Sequence, residues 1–149
     1  MKMIIDTREQ NPLVFKNSMI TECVVETLCV GDYCVEFKDG CRPPIVFERK
    51  AIGDLFGTMG KGHERFKREI ERCQQHNITM ILIVEGGLHK VEDGFKHSKV
   101  GGITVVRKMF TLWIKYGIIP VFTKDRAEMV EYIEQFYIAC GKEHMRKKG

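Results

Sequence analysis

The sequence predicts an α/β fold, a mixed β-sheet flanked by helices on both faces. Two observations carry that reading. Short apolar runs separated by turn residues crowd residues 1–50, and amphipathic helical patterns then alternate with strand-like runs toward the end. Such alternation needs crossover connections, which lay helices against a sheet. A chain of 149 residues, 44% hydrophobic and 30% charged, is long enough to bury one core and too short for two, so residues 1–149 are read as a single domain.

Met3-Ile4-Ile5 is a short buried strand that stops at Asp6. Strand-like runs follow over 20–30, 33–37 and 45–50. Lys38-Asp39-Gly40 is a turn signal and Pro43-Pro44 precedes the next run, so the last two strands form a hairpin. Residues 61–75 set Phe66, Ile70 and Cys73 at helical spacing with charge around the rest, an amphipathic helix with a basic outer surface. Residues 79–85 are continuously apolar and rich in β-branching, and Gly86-Gly87 stops them, which suits a central strand covered on both faces. Residues 91–102 show no period and read as a mobile loop.

A helix over 103–116 places Ile103, Val106, Phe110, Trp113 and Ile114 on one side, and Gly117 closes it. A strand at 118–122 comes next, then a last helix capped by Asp125 and running to about Cys140. Its stripe of Met129, Ile133, Phe136 and Cys140 is widened by Val130, Tyr132, Tyr137 and Ile138. Either a second copy covers the excess or one core absorbs it.

The chemistry gathers around Gly31-Asp32-Tyr33, Glu48-Arg49-Lys50 and Asp54. Two carboxylates can hold a hard cation such as Mg²⁺ or Mn²⁺, which prefers oxygen ligands and keeps waters that can serve as nucleophile. Asp32 and Glu48 are the metal candidates. On a strand, Glu48 and Lys50 leave the same face and Arg49 the other. Lys50 can then orient water and offset charge growing on a phosphoryl group. This order implies metal-dependent phosphodiester cleavage. Arg49 either pairs with Asp54 or Asp6 or grips phosphate in the site. Asp6 and Glu9 either support the metal site or merely end the first strand and face solvent.

These residues resemble the nuclease domain of the XPF family of structure-specific DNA endonucleases, whose signature Gly-Asp-x(n)-Glu-Arg-Lys-x(3)-Asp is met by Gly31, Asp32, Glu48, Arg49, Lys50 and Asp54. The family's upstream Asp-x-Arg-Glu stands at Asp6-Thr7-Arg8-Glu9, and the likeness continues more loosely through Gly62, Arg65, the strand at 80–85 and the final strand and helix. Glu69 departs from it, where the family pattern has glutamine. The resemblance implies a restriction-endonuclease-like fold and an endodeoxyribonuclease acting on branched or otherwise structured DNA. It implies a catalytic set of Asp32, Glu48, Lys50, Arg49, Asp54 and Asp6, and a homodimer through the C-terminal helix. Because the family also includes inactive partner domains, a non-catalytic DNA-binding or scaffold subunit is the alternative. So is a cleavage module that depends on a recruiting protein, since neither a tandem helix-hairpin-helix segment nor a helicase domain is found.

The net charge of +4 permits nucleic-acid binding without demanding it. Local clustering says more. Arg65 with Lys61, Lys67 and Arg68 forms a basic helix face directly after the motif, the expected phosphate contact, with Arg8 a further candidate. The loop at 91–102 and the tail from His144 to Lys148 add basic residues. His63 is set aside as a base, because lysine and metal suffice. The six cysteines include no C-x-x-C pair, and the histidines lack zinc-finger spacing, so spacing gives no structural zinc site. With no secretory leader before Met1 and no apolar run near the roughly 20 residues of a membrane span, an intracellular, soluble protein of the cytoplasm, nucleoid or nucleus is expected.

Overall fold

The computed structural model describes residues Met1–Gly149. Six strands, β1 (Lys2–Asp6), β2 (Glu22–Glu26), β3 (Tyr33–Glu36), β4 (Ile45–Ala51), β5 (Thr79–Glu85) and β6 (Ile119–Thr123), form one sheet in the order β2-β1-β3-β4-β5-β6. β1 lies parallel to β2 and antiparallel to β3, β3 is antiparallel to β4, and β4, β5 and β6 run parallel. The sheet is therefore mixed, as expected.

The alternation along β5 shows how both faces are filled. Met80, Leu82 and Val84 belong to one apolar cluster and Ile81 and Ile83 to the other. The first face is covered by α1 (Ile52–Met59), α2 (His63–Gln75) and α4 (Gly102–Tyr116), through residues such as Leu55, Phe66, Ile70, Val105 and Met109. The second is covered by Met129, Ile133 and Tyr137 of α5 (Arg126–Lys148), with Leu13 from the long segment after β1. No helix is long and apolar enough to cross a membrane.

Several elements differ from expectation. The strand expected over 20–30 is only the exposed edge strand β2, because after it the chain turns to bring the Leu28 N–H to Asp6 Oδ1 at 2.8 Å. α1 has no periodic signal of its own: Gly53 and Gly57 lower its helix propensity, and burial of Leu55, Phe56 and Met59 holds it. The segment expected to be a mobile loop begins inside α3 (Leu88–Glu92), and its Phe95 packs on α1 near Gly53 and Phe56.

The apolar face assigned to α4 is the wrong one. Val105, Val106, Met109 and Leu112 are buried, whereas Ile103, Phe110, Trp113 and Ile114 face solvent. Val105, Met109 and Leu112, one position ahead of Val106, Phe110 and Trp113, set the rotation, so of the expected face only Val106 is buried. α5 runs on to Lys148 and spends most of its wide stripe on the core, with Tyr132 and Met145 its exposed large apolar residues. Gly117 ends α4 in the left-handed conformation and the Asp125 side chain accepts from the Glu128 N–H at 2.9 Å, as the cap signals indicate.

Candidate active site

Residue alternation decides what meets on the helix-covered first face. Ile4, Cys34 and Val46 point into the cluster there, so Asp6 at the end of β1, Asp32 just before β3 and Glu48 in the middle of β4, each two positions along, share that face across three adjacent strands. Gly31 makes the approach possible. Its φ of +83°, and a Cβ that would stand 2.7 Å from Val46, exclude any other residue, and the next residue's N–H reaches the Phe47 carbonyl at 2.7 Å. Asp32 is thus locked against β4, with its Oδ2 accepting from the Arg49 N–H at 2.8 Å.

Glu48 is 7% exposed, and its Oε2 lies 3.3 Å from Lys50 Nζ. Burial pushes the Glu48 carboxyl up to about 8, the charges of Asp32 and Glu69 push the same way, and Lys50 opposes them. Asp32 rises to about 6, again mainly through burial, against the hydrogen bond from Arg49 N–H. Two carboxylates that repel each other under cover form a place where a cation is electrostatically favoured.

α2 brings a third. Glu69 lines a cavity together with Lys50, its charge acts on Glu48, and its Oε2 is buried without a hydrogen-bond partner. The open cavity, about 500 Å³, is lined by Lys50, Asp54, Lys61, Arg65, Phe66 and Glu69 among others. An all-oxygen donor set with one unpaired buried oxygen fits Mg²⁺ or Mn²⁺. Arg65 and Glu69, four residues apart on α2, form one stripe, and Lys61 in the turn before the helix joins them at the cavity. That spacing is the signal by which Glu69 was available from the sequence.

Other expected site residues fall elsewhere. The Arg49 side chain crosses to the second face and makes a bidentate pair with Glu9, Nε to Oε2 and Nη2 to Oε1, both 2.8 Å, with both side chains nearly inaccessible. Its partner is neither Asp54 nor Asp6. The Tyr33 hydroxyl donates to Glu9 Oε2 at 3.0 Å and accepts from the Leu13 N–H. Burial alone would raise Glu9, but the Arg49 bonds outweigh it and hold the carboxyl below its ordinary value. Glu9 therefore neither faces solvent nor reaches the cavity.

Asp6 is occupied within its own loop. It accepts from Arg8 Nε at 2.8 Å and Nη2 at 3.1 Å, and from the Arg8 and Leu28 N–H groups. These bonds outweigh burial and lower its pKa. The Asp6 N–H donates to the Asp32 carbonyl at 2.8 Å, so Asp6 braces the strand that carries Asp32. Arg8 is held by Asp6 and feels the charges of Glu69 and Asp32, which sets its guanidinium at the border of the site. Lys67 and Arg68 are exposed and do not line the cavity; two residues on from Arg65, Lys67 is turned about 200° around the helix.

The family model for the ERCC4 domain matches residues 5–136. DNA repair endonuclease XPF of Drosophila melanogaster is 32% identical over 88 residues, which is 56% of this chain and 8% of that protein. XPF from Aeropyrum pernix superposes with a TM-score of 0.70 at 23% identity, over 91% of this chain and 62% of that one. The same protein in complex with DNA gives 0.70 and 23%, over 95% of this chain and 66% of that one. The shared architecture is the restriction-endonuclease-like α/β fold. The chain spans less than two thirds of each of these relatives.

Proposed function

This chain belongs to the ERCC4 domain family, and from that premise we propose that residues 1–149 act as one metal-dependent DNA endonuclease domain cutting branched or otherwise structured DNA. The observation that carries the reading is the meeting of half-buried Asp32 and buried Glu48 with Lys50 on one sheet face, beside a cavity edged by Lys61 and Arg65. Asp32 and Glu48 would hold Mg²⁺ or Mn²⁺. When bound, such an ion supplies an acidified water and charge stabilisation at a phosphoryl oxygen.

The chain's own residues do the rest. Lys50, steadied by Glu48, donates to the attacking water or to a non-bridging phosphate oxygen and offsets charge as the new P–O bond forms and the bond to the departing sugar oxygen breaks. Asp54, on the first turn of α1 in the same cavity, offers an acceptor that orients this water. Lys61 and Arg65 hold flanking phosphates, and Arg8 adds a contact on the other side. Arg49 and Asp6 act by position: one pins Glu9 and presents its N–H to Asp32, the other braces Asp32 from β1.

A homodimer is part of the proposal, with Tyr132 on α5 and the uncovered Phe110, Trp113 and Ile114 on α4 as the apolar residues a second copy would cover. Sedimentation at equilibrium should return twice the chain mass, and Trp113→Glu should shift it toward the monomer; a wild-type monomer throughout rejects the dimer.

The test of activity is cleavage of labelled branched and linear DNA in Mg²⁺, Mn²⁺ or EDTA, wild type against Glu48→Ala. Cleavage requires the ion and falls by at least about 10²-fold in the variant. A variant that cuts at the wild-type rate ends the reading. Absence of cutting under every condition assigns the chain instead to a DNA-binding subunit or a module that a partner must recruit.

A further inference from the structure

At the opposite end of the β3–β4 hairpin, the turn meets the far end of α5, and a second set of ligand-type side chains gathers. Asp39, Cys41 and His144 each offer one ligand atom, and these atoms lie within 4.8 Å of one another. We propose that Asp39, Cys41 and His144 form a zinc-class divalent metal site, separate from the carboxylate site, that fastens the end of α5 to this turn.

The donor set selects the ion. A thiol, an imidazole and a carboxylate together suit Zn²⁺ and its neighbours, whereas Mg²⁺ and Ca²⁺ take oxygen alone. Ligands at about 2.0–2.3 Å from a tetrahedral ion stand roughly 3.5 Å apart, so a pair at the 4.8 Å limit must close by about an ångström while the His144–Asp39 pair, 2.7 Å apart, must open. Rotation of the exposed Cys41 and the partly exposed Asp39 and His144 side chains supplies that.

Much of the geometry is already in place. Asp39 Oδ1 accepts from the Cys41 N–H at 3.0 Å, which leaves Oδ2 as the outward ligand. His144 Nε2 lies 2.7 Å from that Oδ2, and its ring is stacked on Phe37 with centroids 4.8 Å apart. The ammonium of Lys148 also pairs with Asp39 Oδ2, so a cation already sits at this carboxylate. A divalent ion displaces it and gains the thiolate and imidazole that an ammonium cannot use, with solvent completing the fourth position. Ligands at 39, 41 and 144 follow no linear spacing rule; only the antiparallel return of the turn and the length of α5 bring them together.

The full chain carrying Glu48→Ala, which weakens the carboxylate site, is titrated with Co²⁺ under a phosphine reductant. A thiolate-to-cobalt charge-transfer band should saturate at one ion per chain, vanish in Cys41→Ser and be displaced by Zn²⁺. His144→Ala should weaken binding at least about tenfold. Absence of the band, or a band unchanged in Cys41→Ser, overturns the site. Zn²⁺ should also slow amide exchange over residues 142–148, and unchanged exchange overturns the fastening role. Neither result depends on cleavage, so the site and the proposed nuclease stand or fall separately.

Discussion

At Glu48, burial and like charge act in the same direction, and the consequence is measurable without substrate. Its ordinary value of 4.5 is raised to about 8 by burial and then by Asp32 and Glu69. Below 4.5 the carboxyl is protonated in folded and unfolded chains alike and carries no penalty. As pH rises toward 8 the unfolded chain ionises freely and the folded chain resists, so stability is lost across that window. Glutamine keeps the shape without the charge. In EDTA, Glu48→Gln should therefore be more stable than wild type in urea at pH 8, the advantage shrinking as pH falls to about 4.5, while cleavage is lost. Equal stability at pH 8 would show that Lys50 already compensates the charge. At this scale the sequence was legible where chemistry is local: Glu48 and Lys50 share a face because strands have a period of two. The Arg49–Glu9 pair was not, because it joins residues 40 apart across a face that periodicity names without saying who stands there.

Among the elements, the junction of β3 and β4 bears most on the site, for Asp32 precedes one strand and Glu48 lies on the other. The two strands pair directly only at Tyr33 and Phe47, with the Asp32 N–H bond to Phe47 beside it. Below that point the strands part, and the buried Tyr137 hydroxyl of α5 donates to the Ile45 carbonyl at 2.7 Å and, more weakly, to the Tyr33 carbonyl at 3.2 Å. A helix residue thus takes the place of a ladder bond. Tyr137→Phe keeps the ring packing and leaves both carbonyls without that donor, which should cost about 1–3 kcal/mol of unfolding free energy. Part of the loss should appear as slower cleavage, since Asp32 hangs from this junction. A cost below about 0.5 kcal/mol, within the usual range of a neutral substitution, would mean that water replaces the hydroxyl. Strand β5, the caps of α4 and α5 and the hairpin were readable from residue type. The eight-residue α1 was not, since tertiary burial rather than propensity makes it a helix.

Taken whole, the molecule has only a modest excess of positive charge, so any grip on DNA depends on where that charge lies. The layer arrangement puts β4, α1 and α2 around one cavity, with Lys50, Lys61 and Arg65 on its walls and Arg8 at the border. Both covered faces were legible from the unbroken apolar run of β5 and the later helices, and Phe66, Ile70 and Cys73 named the side of α2 that meets the sheet. The choice among basic residues was not legible, because the position of α1 and of the turn before α2 decides which flank of the helix borders the cavity. The structure divides them: Lys61 and Arg65 face the cavity, Lys67 faces away. Each phosphate neutralised contributes about 0.9 to the slope of log affinity against log salt on duplex DNA. Binding measured in Ca²⁺ or EDTA, so that nothing is cut, should lose about 1.8 from that slope in Lys61→Ala/Arg65→Ala and nothing in Lys67→Ala. Equal losses from the two variants would mean that DNA lies along the outer surface of α2, and would overturn the proposal that a scissile phosphate enters the cavity beside Lys50.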